Sequence, residues 1–256
     1  MKVFANSLSS TIAIKATKLS RELSGVEAVR DVSFKAHFGR IFGLLGPNGA
    51  GKTTTLRMLA CLLEPSTGSL EICGNSISNR LEEVKRDIGF MTSGMKLYEA
   101  FTPEESLLYF GRLRGMSKAS LRQKIDQLVA DFEMSQFYRK RFGKLSSGEQ
   151  QRTTIANALL HDPKILILDE ITLSLDVISS AVILDFIKRE RDRGRCIVFS
   201  THSMGEAEYL CDDIGFIHQG QIITQGTARK IIHGSGAGSL TEAFLNAVKQ
   251  VKGVAA

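Results

Sequence analysis

The sequence has no tryptophan, and only four prolines and four cysteines among its 256 residues. It holds no run of 18 apolar residues, no Gly/Ser-rich tract and no internal repeat. Each shortage excludes something. A membrane-spanning helix needs a long apolar run, so the chain is not expected to span a bilayer, and any work at a membrane requires docking onto another chain. The cysteines (Cys61, Cys73, Cys196 and Cys211) lack C-x-x-C spacing, which argues against a zinc or dithiol motif. Cys61, Cys73 and Cys196 sit in apolar or strand-like contexts and read as buried free thiols of a reducing compartment. Met1 to Ser10 lacks the charged start and apolar centre of an export signal. The absence of biased tracts argues against disordered linkers.

What is present is ordinary for a globular protein: 43% hydrophobic and 23% charged residues. The length fits one large α/β domain or two modest ones. The net charge is +6, spread along the chain, with two stretches standing out: Arg112 to Lys124 and Arg139 to Lys144. These stretches read either as solvated helix faces or as a surface near anionic headgroups or an acidic partner. No aromatic platform is interleaved with them, so nucleic acid is not an expected partner.

Strand-like alternation marks Thr11 to Ala16 and Glu27 to Ala36, and a short apolar run covers Arg40 to Leu45. A helix is predicted from Gly51 to Leu63, stopped by Pro65 and Gly68, with a strand from Ser69 to Cys73. The middle, about Thr102 to Leu160, is helical. Thr102-Pro103-Glu104-Glu105 is a capped helix start, and an amphipathic helix runs from about Ser117 to Phe132. Strands and helices then alternate: Ile165 to Leu168, Val177 to Arg191, Cys196 to Ser200, a short helix from Met204, Asp213 to His218. A strand at Gln221 to Gln225 and a helix near Leu240 to Val251 close the chain. This is the pattern of a mainly parallel sheet interrupted by a helical insertion of about 60 residues.

Gly46-Pro47-Asn48-Gly49-Ala50-Gly51-Lys52-Thr53 matches G-x-x-x-x-G-K-[ST] between a predicted strand and a predicted helix. Glycines let backbone N–H groups curl around phosphate oxygens, and the helix amino terminus adds partial positive charge. Lys52 can reach the β- and γ-phosphates, the Thr53 hydroxyl can ligate Mg²⁺, and Thr54 continues the cradle. Asp169 and Glu170 follow the buried strand Ile165 to Leu168 at its carboxyl end, where ligands bind in open α/β sheets. Asp169 would hold Mg²⁺ and Glu170 would polarise the attacking water.

Leu145-Ser146-Ser147-Gly148-Glu149-Gln150-Gln151-Arg152 narrows the choice among phosphate-loop proteins. It resembles the signature of ABC ATPases. In that family this motif clamps the γ-phosphate of nucleotide held by the opposite subunit. The resemblance extends from about Ile12 to Gly226. It makes Ser174-Leu175-Asp176 the loop whose aspartate crosses the dimer, and His202 the switch histidine at the γ-phosphate. Ile88 through Ser93, Leu97-Tyr98, Phe110 through Leu113 and Asp162-Pro163-Lys164 are similar to ATP-binding subunits of the sodium-exporting, NatA-like branch.

The resemblance implies a P-loop NTPase of ABC type, in which an antiparallel amino-terminal β portion joins a mainly parallel sheet and a helical subdomain. The ATP-binding core would cover about 11–93 and 163–235, the helical subdomain about 94–162 and a terminal helix about 239–251. It also implies an ATPase dependent on ATP and Mg²⁺. This ATPase would be paired with a second, identical ATP-binding subunit and with a separate permease, peripheral on the cytoplasmic face of the membrane, and would drive export. Two other readings stay open: a soluble ABC-type factor, and a regulatory cassette with little turnover.

Several positions depart from the family pattern. Leu23 stands where an aromatic usually stacks on adenine, and Ser93 where a glutamine ligates Mg²⁺. Ser147 replaces a signature glycine, Glu149 replaces its glutamine, and Ile171 stands where a proline usually follows the glutamate. A side chain at 147 is tolerable only with ordinary backbone angles, and a carboxylate at 149 only if it points away from phosphate. None of these changes removes Lys52, Asp169, Glu170 or His202, so a competent but slow ATPase is expected.

Overall fold

A computed structural model describes residues 11–173, 175–251 and 253; the Met1 to Ser10 reading and Ser174 lie outside them. Two sheets form the frame. Strands β1 (Ile12–Leu23) and β2 (Val26–His37) pair antiparallel, and β1 also pairs antiparallel with β4 (Thr67–Ile72), which carries the two-residue β5 (Asn75–Ser76) at its edge. The second sheet has six strands in the order β10-β9-β3-β8-β7-β6. These are β3 (Ile41–Leu45), β6 (Ile88–Thr92), β7 (Ile165–Asp169), β8 (Cys196–Thr201), β9 (Asp213–His218) and β10 (Gln221–Gly226). All neighbours are parallel except β9 and β10.

Helix α1 (Lys52–Leu59) follows β3, and α2 (Leu81–Arg86) precedes β6. Between β6 and β7 lie α3 (Pro103–Leu113), α4 (Lys118–Asp131), a 3₁₀ turn at Phe142–Lys144 and α5 (Ser147–Ala158). Helix α6 (Val177–Asp192) joins β7 to β8, and α7 (Met204–Leu210) joins β8 to β9. Helices α8 (Ala228–Gly234) and α9 (Leu240–Val251) end the described chain.

The central strands are apolar throughout because both faces are covered. Side chains alternate across a strand. Ile165 and Ile167 of β7 and Cys196 and Val198 of β8 therefore face the core shared with the antiparallel sheet. Leu166, Leu168, Ile197 and Phe199 face a second core built with Leu121, Leu128, Phe132 and Phe186 of the helices. A third, smaller core gathers Leu45, Ile214 and Phe216 against Leu240 and Ala243.

Most expected elements are present, with four corrections. The strand expected over Thr11 to Ala16 runs on to Leu23, because bulges near Thr17 to Ser20 break the alternation without ending the pairing. The helix expected to reach Leu63 stops at Leu59. Cys61 takes a left-handed φ of 55°, while the Cys61 N–H bonds to Met58 O and the Leu62 N–H to Arg57 O, the two bonds of a Schellman stop. Cys61 and Cys73 are only half-buried, whereas Cys196 is buried. Strand β6 and the short helices α2 and α8 were not expected.

Candidate active site

The cradle begins where β3 turns into α1. Gly49 and Gly51 hold φ values of 77° and 101°, angles that suit glycine. A Cβ on Gly51 would lie 2.6 Å from Ala28 O, and one on Gly46 would lie 2.2 Å from Ile217 O. The first helical bond runs from the Thr55 N–H to Gly51 O. The amides of Lys52, Thr53 and Thr54 therefore have no intrahelical acceptor. These residues line a cavity of about 330 Å³ together with Ala28, Asn48, Gly49, Gly51 and Glu170. Ala50 is buried behind it, its carbonyl accepting the Gly220 N–H at 2.9 Å. A basic side chain, free amides and a helix amino terminus around one cavity fit the phosphates of a nucleotide.

Lys52 is buried, and its ammonium donates to Gly46 O at 2.8 Å and Pro47 O at 3.1 Å. It also lies 2.9 Å from Glu170 Oε1. An ammonium that keeps three oxygen partners tolerates burial. Asp169, at the end of β7, is buried and accepts the Ser200 hydroxyl at 2.6 Å. Glu170 has a left-handed φ of 50°. Its N–H is held by Ser200 twice, by the carbonyl at 3.2 Å and by the hydroxyl at 3.1 Å. Such a conformation costs about 1–3 kcal/mol and persists where neighbours over-determine it. His202 Nδ1 stands 3.8 Å from Glu170 Oε1 with its ring half exposed. Thr53 and Asp169 offer only oxygen donors, a set suited to a hard divalent cation such as Mg²⁺.

The signature residues form a separate cluster. Ser146 caps α5: its hydroxyl accepts the Glu149 N–H at 3.3 Å, and Glu149 Oε2 accepts the Ser146 N–H at 2.8 Å. The Glu149 carboxylate is therefore turned back onto the cap. Ser147 is the first residue of α5 and has no positive φ. A Cβ on Gly148 would lie 2.6 Å from Ser179 Oγ. Ser179 is itself tied to Asp176, by its N–H at 2.9 Å and its hydroxyl at 2.7 Å. Those Ser179 donors hold the Asp176 carboxyl below its ordinary pKa. Gln151 joins the two regions by donating to Ile171 O at 2.6 Å.

Among the described residues, Gly46, Pro47, Ala50 and Asp169 do not line the phosphate cavity, His202 lines a neighbouring cavity that shares Glu170, and Leu23, Ser93, Asp176 and the signature residues line neither. Leu23 ends β1 opposite Val26 and is exposed. Ser93 follows β6 and bonds through its N–H to Asp169 O at 3.0 Å. Sequence reasoning missed Ser200, which serves both Asp169 and Glu170. Its signal was a Ser-Thr pair closing the apolar run Cys196 to Phe199. It also missed Ala28 in the cavity wall, for which periodicity carries no signal.

A family model described as ABC transporter matches residues 29–173. The ABC transporter ATP-binding protein NatA of Bacillus subtilis (strain 168) is 40% identical over 230 residues, covering 90% of this chain and 93% of that one. A Nod factor export ATP-binding protein I of Paraburkholderia xenovorans (strain LB400) is 37% identical, covering 86% of this chain and 72% of its own. A solved ATP-binding subunit of an ABC transporter superposes with a TM-score of 0.84 at 29% identity, covering 93% of this chain and all of that one. The chain therefore belongs to the ABC transporter family, as a NatA-like subunit that binds and hydrolyses ATP.

Proposed function

We propose that two copies of this chain close around ATP and drive export through a separate transmembrane permease. The observation that carries this reading is the division of the site. Lys52 and His202 both meet Glu170, which follows Asp169 at the end of β7, while Ser146, Gly148 and Asp176 gather in another cluster around Ser179 and the start of α5. A second copy can bring its cluster to the first copy's cavity. Exposed Leu173, Val177 and Ile178 flank Asp176 and supply apolar surface for that contact.

Within the site, Lys52 exchanges its Glu170 partner for phosphate oxygens. The released carboxylate then polarises the attacking water, and His202 stabilises the γ-phosphate. Thr53 and Asp169 would hold Mg²⁺, which would neutralise developing phosphate charge. Residues 11–93 and 163–235 make the ATP-binding core, 94–162 the helical subdomain, and 239–251 a terminal helix. The permease meets the Ser93 to Tyr98 loop and the helical subdomain, where Met95, Tyr98, Tyr109 and Leu113 are exposed and Tyr98 packs with Phe101, Tyr109 and Phe110. In this reading the chain works at the cytoplasmic face of the membrane, docked on the permease; no described helix is long and apolar enough to cross one. Export is favoured by the relative named for Nod factor export. Sodium is the cargo that the branch resemblance suggests.

The test compares Mg-ATP hydrolysis by the wild type and by Glu170→Gln. The variant is expected to lose turnover by roughly 10²–10⁴-fold while still forming an ATP-stabilised dimer on gel filtration. Equal turnover by both proteins would remove Glu170 as the base. Absence of an ATP-stabilised dimer in both would remove the paired site.

A further inference from the structure

Residues on both sides of His202 are tied to Glu206, Thr201 to its carboxylate and Ser203 to its backbone N–H. The Thr201 hydroxyl donates to Glu206 Oε2 at 2.6 Å and accepts the Ser203 N–H at 3.0 Å. The Ser203 hydroxyl in turn accepts the Glu206 N–H at 3.3 Å, capping α7. Thr201 is buried at the end of β8, so the loop is anchored below as well as above. His202 makes no such bond of its own. Its ring is half exposed, and its Nδ1 stands 3.8 Å from Glu170 Oε1. Its place above the site is therefore set by the turn that carries it.

The same residues share a cavity of about 190 Å³ lined by Glu170, Thr172, Leu173, Thr201, His202, Ser203 and Glu206. Glu170 lines both this cavity and the phosphate cavity. Glu206 lines this cavity and not the phosphate cavity.

We propose that Glu206 is a positioning residue for ATP hydrolysis, holding the Thr201–His202–Ser203 turn so that His202 meets the γ-phosphate. This rests on the reading of His202 given above. A ring whose turn is released samples many placements, and misplacement of a reacting group by about 1 Å can cost on the order of a hundredfold in rate. The stabilisation is made at the reacting phosphate, so the loss falls on kcat rather than on ATP affinity. The role of Glu206 is to accept a hydrogen bond, which a glutamine carbonyl oxygen can also do.

The experiment measures kcat and KM for Mg-ATP in Glu206→Ala, Glu206→Gln, Thr201→Val and His202→Ala, with thermal unfolding of each. Glu206→Ala and Thr201→Val, which remove the same bond from opposite ends, are expected to lower kcat by roughly ten- to a hundredfold. KM should stay within about twofold, since uniform binding is untouched. Glu206→Gln should retain most of the wild-type kcat. A helix-capping role alone would lower the unfolding temperature of Glu206→Ala and leave kcat unchanged, and that result overturns the proposal. So does a glutamine variant as slow as alanine, or a loss confined to KM. If His202→Ala turns over like the wild type, the reading of His202 fails and this inference fails with it. If His202→Ala is slow while Glu206→Ala and Thr201→Val are not, only this inference fails.

Discussion

Asp162 shows how a single carboxylate registers its surroundings. Burial raises its pKa, but hydrogen bonds from Lys124 and Arg195, each at 2.7 Å, outweigh burial and bring it from 3.8 down to about 2. The unfolded chain then binds a proton more readily than the folded one between those two values. The stabilisation is complete above pH 3.8 and drains away as pH falls through about 2. The side chain is largely exposed, so solvent screens part of the effect. Acid unfolding followed by circular dichroism should therefore show a steeper loss of stability across that interval in the wild type than in Asp162→Asn. Matching slopes would mean that the carboxylate contributes nothing. In the active site, Glu170 is set apart by backbone geometry fixed by Ser200, which sequence does not announce.

Elements were legible where their chemistry is local. Thr102 with Glu105 and Ser146 with Glu149 are capping boxes at the S/T-x-x-E spacing, and both form as that spacing requires. The phosphate loop and the apolar β7 run were legible for the same reason, since residue type and order carry the whole signal. Strand β6 and helices α2 and α8 were not, because five to seven residues hold too few turns of any period. The early stop of α1 at Cys61 was hidden because glycine, not cysteine, is the usual left-handed residue there. The signature residues were legible singly, but not the contact of Gly148 with Ser179, which depends on how α5 meets α6. The box at α5 makes a prediction for an element. Glu149→Ala removes the acceptor of the Ser146 N–H and should cost about 1 kcal/mol in urea unfolding. An unchanged midpoint would show that the carboxylate does not support the helix.

At the scale of the molecule, one charged network joins the helical segment to the entry edge of the parallel sheet. Glu190 of α6 is only 1% exposed and is bonded by both Arg193 and Arg195. Arg195 also reaches Asp162 and the Pro163 carbonyl just before β7, and Lys124 of α4 meets Asp162 from the other side. Arg193 returns to Asp131 at the end of α4. The apolar core between these layers has no directional preference of its own, whereas this network fixes which part of α4 faces β7 and β8. Arg195→Ala leaves the buried Glu190 carboxylate to Arg193 alone, which is half exposed, and should cost up to about 3–5 kcal/mol of unfolding free energy. Replacing both partners, Glu190→Leu with Arg195→Met, leaves no buried charge at that pair and should recover much of the loss, because well-packed apolar groups can match a buried ion pair. Equilibrium urea unfolding of the single and double variants separates the two cases. A single substitution costing under about 1 kcal/mol, the range of an exposed pair, would show that packing alone sets the docking of the helical segment. A large single loss with recovery in the double variant would show that the network sets it.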